Sequence, residues 1–174
     1  VGARHLRGLA AEERTAELGA GAGEARLLLE TAVDNEAQDV SPDGSTLLYT
    51  HNETQSQYDL WTLSLDNQSD PRPWLATRFR EEFGAFSPDG RWVAYTSDET
   101  GERQVFVTRY PEGDRKVQVS LEGGHRPLWS HDGRELYFRR GLSMMAVEVA
   151  LGERPVVGRP QELFRGQYQY SANK

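Results

Sequence analysis

No cysteine occurs anywhere in the 174 residues. Disulfide frameworks, thiolate nucleophiles and Cys-based zinc sites are therefore excluded, while the redox compartment stays open. No apolar run approaches the roughly 20 residues of a membrane-spanning helix, so direct membrane insertion is not expected. The N-terminus lacks the apolar core segment of a signal peptide. Basic charge is scarce: 20 Lys and Arg stand against 27 Asp and Glu, for a net charge of −7. That balance argues against nucleic-acid binding and against adhesion to an anionic membrane. The four histidines, His5, His51, His125 and His131, show no metal-ligand spacing.

Catalytic signatures are missing as well. There is no glycine-rich phosphate loop and no His-Arg-Asp segment. Glu82-Phe83-Gly84 imitates a kinase Asp-Phe-Gly only by chance and is expected on a loop. Gly19 to Gly23 lacks the spacing of a dinucleotide site. Gly141-Leu142-Ser143 does not continue into the Gly-x-Ser-x-Gly elbow of an α/β-hydrolase. A sialidase-type Asp box fails because Gly90 follows Asp89 directly. The residues predict a non-enzyme.

What is present is repetition. Val40-Ser41-Pro42-Asp43-Gly44, Phe86-Ser87-Pro88-Asp89-Gly90 and Trp129-Ser130-His131-Asp132-Gly133 are three copies of one phrase, with Asp-Gly steps 46 and 43 residues apart. A period near 40–50 residues points to propeller blades. Seventeen glycines and eight prolines supply the many turns such a sheet protein needs.

The repeat unit resolves into strands a to d. Strand a ends at the repeated phrase. Strand b is Thr46–Thr50, Trp92–Thr96 and Glu135–Phe138; strand c is Leu60–Leu65, Val105–Tyr110 and Met144–Val149. Apolar residues bounded by turn signals, with period-two alternation in c, read as strand. Strand d is Arg72–Leu75, Lys116–Val119 and Gln161–Phe164, polar enough for an edge. Blades are expected at about 37–75, 83–120 and 126–165 within a propeller unit 25–174, with residues 25–30 as a strand d left from a preceding blade. Residues 1–24 read as linker, with a short helix conceivable over Ala11–Leu18. Tyr168–Lys174 resembles the approach to a further strand a. The fold class is all-β: a partial, open β-propeller of about three four-stranded antiparallel blades plus one extra strand. Trp61, Trp74, Trp92 and Trp129 are expected at equivalent places in the inter-blade core.

The phrase itself has turn mechanics. Proline presets φ and glycine closes the turn, in pairs Asp43-Gly44, Asp89-Gly90 and Asp132-Gly133. Each aspartate is expected to cap its own turn. No cofactor is expected; calcium is the one ion that carboxylates at such turns would suit.

These residues resemble the TolB-like, WD-repeat-like β-propeller repeats of bacteria, with Phe86–Glu99 a near-consensus copy. The run from Asp59 to Val149 is similar to the propeller found C-terminal to bacterial serine/threonine protein kinase domains. The resemblance implies a non-catalytic sensor or protein-interaction scaffold linked to such a kinase. Alternatives are the guard propeller of a prolyl-oligopeptidase-like peptidase without its catalytic domain, or a periplasmic TolB-type envelope protein. It also implies an extracytoplasmic or periplasmic setting. The expected partner is a protein or peptide, with a second copy or the remaining blades of a parent propeller covering the terminal blade faces. Candidate interaction residues are Arg78, Phe79, Arg80 and Phe83 on one d-to-a loop, and His125 and Arg126 on the next. Arginines among aromatics on a rigid scaffold have the composition of recognition surfaces.

Overall fold

A computed structural model describes residues 14–18, 26–53, 58–66, 70–153 and 155–166. Every element among them is a strand. The first blade is β3 (Asp34–Val40), β4 (Thr46–Asn52), β5 (Tyr58–Ser64) and β6 (Arg72–Leu75); the second is β7 (Glu81–Phe86), β8 (Trp92–Ser97), β9 (Gln104–Arg109) and β10 (Val117–Gln118). Each is an antiparallel meander in chain order. The third blade is β11 (His125–Trp129), β12 (Glu135–Arg140) and β13 (Ser143–Ala150). Its outer position is shared by β14 (Val156–Val157) and β15 (Gln161–Arg165), both paired with β13. The short β14 has no counterpart in the sequence-based layout.

Ahead of these blades, β1 (Arg14–Leu18) pairs antiparallel with β2 (Arg26–Thr31). Residues 14–18 are thus a strand where the sequence allowed a helix. That segment has no apolar stripe at helical spacing, and β2 offers an open edge of backbone donors and acceptors. The expected extra strand β2 therefore has a companion. β2 sends Leu28 and Leu29 toward Leu47, Tyr49 and Leu63 of blade 1, as Leu75 of β6 packs toward blade 2. Residues 1–13, 19–25 and 167–174, on which the linker and further-strand expectations partly fall, lie outside the described residues.

Strict alternation builds the cores between blades. Val93 and Tyr95 join Leu48, Leu60, Phe86 and Phe106 between blades 1 and 2. Their neighbours Trp92 and Ala94 join Val105, Val107, Trp129, Leu136, Phe138 and Met145 between blades 2 and 3. A central strand buried on both faces reads as a continuous apolar run for this reason. Inter-blade hydrogen bonds lock the stack: the Trp129 indole donates to the Ala85 carbonyl at 3.0 Å, and the Phe86 amide to Asp39 Oδ2 at 2.8 Å. The tryptophans do occupy inter-blade cores, but at four different strand positions: Trp74 on d, Trp61 on c, Trp92 on b and Trp129 on a. The four are not at equivalent places in the repeat, contrary to the expectation from sequence. Gaps of different shape between blades are filled from whichever strand reaches them.

The a-to-b turns are one structure used three times. Gly44, Gly90 and Gly133 have φ of 78°, 71° and 70°, the left-handed region glycine enters without strain. Their amides donate to the carbonyls of Ser41, Ser87 and Ser130 at 2.8, 2.8 and 3.0 Å. Asp43, Asp89 and Asp132 each accept from their own serine hydroxyl, at 2.5, 2.6 and 2.8 Å, and from the amide two residues on. Hydrogen bonds from Ser41 and Ser45 hold Asp43 below the usual carboxylate range, and those from Ser130 and Arg134 do the same for Asp132. His131 replaces the proline of the other two copies. His131→Pro should raise stability by about 0.5–1 kcal/mol, because it restricts the unfolded chain at a position already shaped for proline. Chemical denaturation measures it; a loss of stability would show that the third turn departs from the other two.

Candidate functional site

The strand a copies β3, β7 and β11 lie against one another at successive blade contacts, so they form the inner edge of the arc. Each is interrupted by a bulge: between Ala37 and Asp39, between Glu82 and Ala85, and between His125 and Leu128. In β7 and β11 the bulge holds a non-glycine residue at positive φ, Phe83 at 58° and Arg126 at 56°. Bulges re-aim side chains, and a left-handed backbone at such residues costs on the order of 1–2 kcal/mol. The two strained residues meet across blades 2 and 3. The Arg126 guanidinium lies 4.2 Å from the Phe83 ring centroid, and the His125 ring is 6.3 Å from Phe83. The Arg126 amide donates to Thr96 Oγ1 of blade 2 at 3.2 Å.

Phe83, His125 and Arg126 therefore come together, on strands rather than on the d-to-a loops expected from sequence. Glu82-Phe83-Gly84 likewise lies inside β7. The bulge, which neither residue type announces, makes a strand segment imitate a loop. Arg80 is on the loop before β7. Its amide donates to Asp98 Oδ1 at 3.0 Å, and its guanidinium stacks 4.2 Å from the Tyr58 ring of blade 1. Arg80 Nη2 is 4.0 Å from Glu82, and Arg103 Nη2 is 3.0 Å from the other Glu82 oxygen. Arg78 and Phe79 form a separate pair, with the guanidinium 4.8 Å from the ring.

Sequence reasoning missed Tyr58, Glu81, Glu82, Arg103 and Arg139. The signal was in the register: Arg139 stands directly opposite His125, and Glu82 opposite Thr96. Glu81 exposes 2% of its surface and accepts the Thr77 hydroxyl at 2.5 Å. Burial pushes its carboxyl up to about 7 against the Thr77 bonds. Burial first, then the charges of Arg126, Arg139 and Arg103, hold the His125 imidazole below its ordinary range.

This end of the blades also concentrates polar atoms without partners. Asn52 Oδ1, Asp59 Oδ1, Arg80 Nε and His125 Nδ1 are buried and make no hydrogen bond, while Glu82 Oε1 meets Arg103 as an ion pair at 3.0 Å without a hydrogen bond. Such atoms are rare in folded proteins, and a group of them marks a place for water or ligand. Among the described residues no three His, Asp or Glu side chains gather as a metal site would require. At the opposite end, a cleft of about 1130 Å³ runs between the second and third turns and the Val149–Gly152 segment.

Solved structures share this architecture. The chain superposes on a TolB of Agrobacterium tumefaciens with a TM-score of 0.70 at 21% identity, over 87% of this chain and 57% of that one. The fold is that of a TolB-type β-propeller. TolB of Acinetobacter baumannii gives 0.69 at 17% identity, over 90% of this chain and 39% of that one. A puromycin-hydrolysing peptidase of Mycobacterium tuberculosis gives 0.62 at 16% identity, over 88% and 27%. By sequence, residues of this TolB-type arc are 29% identical over 119 positions to an uncharacterised peptidase, YuxL, of Bacillus subtilis, covering 65% of the chain but 17% of that protein. No family model matches. The chain thus spans 57% of the first TolB structure's length and a sixth of YuxL's.

Proposed function

We propose that this propeller segment is a non-catalytic scaffold that binds a protein or peptide partner on the inner-edge end of its blades. One observation carries the reading. Two consecutive blades hold non-glycine residues in a strained backbone that brings an aromatic ring under a guanidinium at an accessible edge. Strain of that kind persists where it serves a function, and aromatic and arginine side chains are the usual anchors of interfaces. The likeness of Asp59–Val149 to kinase-linked propellers supports a place in a bacterial signalling protein such as a serine/threonine kinase.

A second reading has its own support. The YuxL match and the M. tuberculosis peptidase favour a guard propeller whose catalytic serine lies on another part of a longer protein. Sequencing the flanking DNA separates the two: a His-Arg-Asp kinase upstream supports the first, a Gly-x-Ser-x-Gly elbow downstream the second.

The scaffold reading is tested with a phage-displayed peptide library selected on the immobilised chain. Phe83→Gly keeps the left-handed backbone and removes the ring. Selected peptides should lose about tenfold or more in affinity for this variant, since a ring anchor is worth on the order of 2 kcal/mol at an interface. Peptides that bind both forms equally, or none selected at all, would overturn the assignment of this face.

A further inference from the structure

At the turn end of the blades, opposite the inner-edge cluster, blade 3 departs from the other two. The first residue of strand b pairs as Thr46 with Ser64 in blade 1 and as Trp92 with Arg109 in blade 2. In blade 3 the same place pairs Glu135 with Glu148. Two carboxylates directly opposite on one face of a ladder repel each other. Glu135 accepts the Tyr137 hydroxyl at 2.7 Å. The Glu148 carboxylate, on an exposed residue, makes no hydrogen bond or ion pair among the described residues. The Arg134 guanidinium beside them is turned to Asp132, 3.9 Å away.

These two carboxylates lie in the groove of about 1130 Å³, whose uncharged lining is chiefly apolar residues and glycine. Alternation puts Glu148 and Ala150 on one face of β13, and Val156 of the short β14 stands opposite Ala150. Val156 is 64% exposed, and Leu151 rises beside it from the core. Among the described residues only blade 3 carries such an extra strand, so the apolar wall and the acid pair occur together there. A concave apolar wall with a few placed charges is the usual form of a binding groove.

Charge selects the occupant. The groove is lined by Asp89, Asp132, Glu135 and Glu148 against one guanidinium, that of Arg134. Hydrogen bonds from Ser130 and Arg134 hold Asp132 below its ordinary range, so it is ionised at neutral pH. Among the described residues no three acidic side chains gather as a metal ion needs, so the carboxylates suit separate cations spaced along an extended ligand. A nucleic acid or a second copy of this chain would bring further negative charge to a net charge of −7.

We propose that this groove binds an extended basic peptide segment, with aliphatic side chains against Ala150, Leu151 and Val156 and lysine or arginine side chains on Glu135 and Glu148. It is a second surface, independent of recognition at the inner edge. A cation between Glu135 and Glu148 relieves their repulsion and forms charge-assisted hydrogen bonds. The methylene stem of a lysine or arginine lies along apolar surface while its head reaches the carboxylates. Apolar burial holds the segment, and charge decides which segment is held.

The test uses a short fluorescein-labelled peptide of alternating lysine and leucine with blocked termini, beside glutamine–leucine and lysine–serine versions. Fluorescence anisotropy with the full chain gives the affinities. The lysine–leucine peptide should bind at least roughly tenfold more tightly than either control, the worth of one charge-assisted bond or one buried aliphatic side chain. Glu148→Gln should reduce the preference over glutamine–leucine to within about threefold, and Val156→Ser should do the same to the preference over lysine–serine. Both residues are exposed, so neither substitution opens the core. Asp70→Asn removes an equal charge from an exposed position on blade 1 and should change the affinities by less than about twofold. Amide resonances of Gly133, Gly152 and Gly158, which line the groove, should shift as the lysine–leucine peptide is added. Equal affinity for the lysine–leucine and glutamine–leucine peptides, an Asp70→Asn loss as large as that of Glu148→Gln, or no binding of any peptide overturns the proposal. Shifts confined to Phe83 and its neighbours would leave recognition at the inner edge standing while the groove assignment falls.

Discussion

Replacing Phe138 by alanine should destabilise the chain by about 3–5 kcal/mol, whereas Leu128→Ala on the same blade should cost less than about 1 kcal/mol. Phe138 exposes 1% of its surface and sits in the core between blades 2 and 3 with Trp92, Val105, Leu136 and Met145. Its loss removes the transfer free energy of the ring and leaves a cavity that close-packed neighbours on two sheets cannot collapse into. Leu128 lies on the other face of blade 3 and is 64% exposed. It pairs opposite Tyr137, as Ala85 pairs opposite Ala94 in blade 2, where that face is covered by blade 3. Urea denaturation of both variants reads the difference. Comparable losses would mean that blade 3 buries both faces in this chain. A small loss for Phe138 would mean that blades 2 and 3 do not pack as described.

Glu81→Gln should raise stability at pH 8 by on the order of 2 kcal/mol and leave it nearly unchanged below pH 4.5. The Glu81 carboxyl is pushed up to about 7 in the folded chain, chiefly by burial, from an unfolded value near its ordinary range. Between those two values the folded state binds the extra proton. Stability is therefore highest at low pH with respect to this group and falls as pH rises from about 4.5 to about 7. Glutamine keeps an oxygen to accept the Thr77 hydroxyl and has no charge to bury. The carboxylates of Asp43 and Asp132 work in the opposite sense, since their folded values are lowered. Their contribution is present above the ordinary aspartate range and is lost only in stronger acid, so the two effects occupy separate windows. Thermal melts across pH measure the profile. Parallel profiles for the two proteins would show that Glu81 is solvated as an ordinary surface carboxylate.

The blade scaffold was legible because its determinants are local. Asp-Gly spacing located the turns, period two located the strands, and both face assignments of Trp92–Tyr95 follow from that alternation. β1 was not legible, because its partner β2 fixes it as a strand through backbone pairing rather than through its own residue pattern. The short β14 escaped for the same reason. At the candidate site, Arg78 to Phe83 and His125-Arg126 stood out as arginines among aromatics. Their backbone did not. Neither Phe83 nor Arg126 is glycine, so nothing local signals a left-handed bulge, which packing of one blade on the next imposes. Arg139 and Glu82 were hidden because their roles depend on which residue stands opposite them across a ladder. The register of an antiparallel pair is set by the whole sheet.

Contacts between blades 2 and 3 at the inner edge are what both the fold and the recognition site require. A nuclear Overhauser spectrum of the labelled chain observes them directly. The Trp129 indole proton should show cross-peaks to Ala85, whose carbonyl oxygen lies 3.0 Å from the indole nitrogen, and the Phe83 ring should show cross-peaks to the Arg126 side chain. A Trp129 indole proton that exchanges freely with solvent and shows no cross-peak to Ala85 would contradict the stacking of these blades and the site built on it.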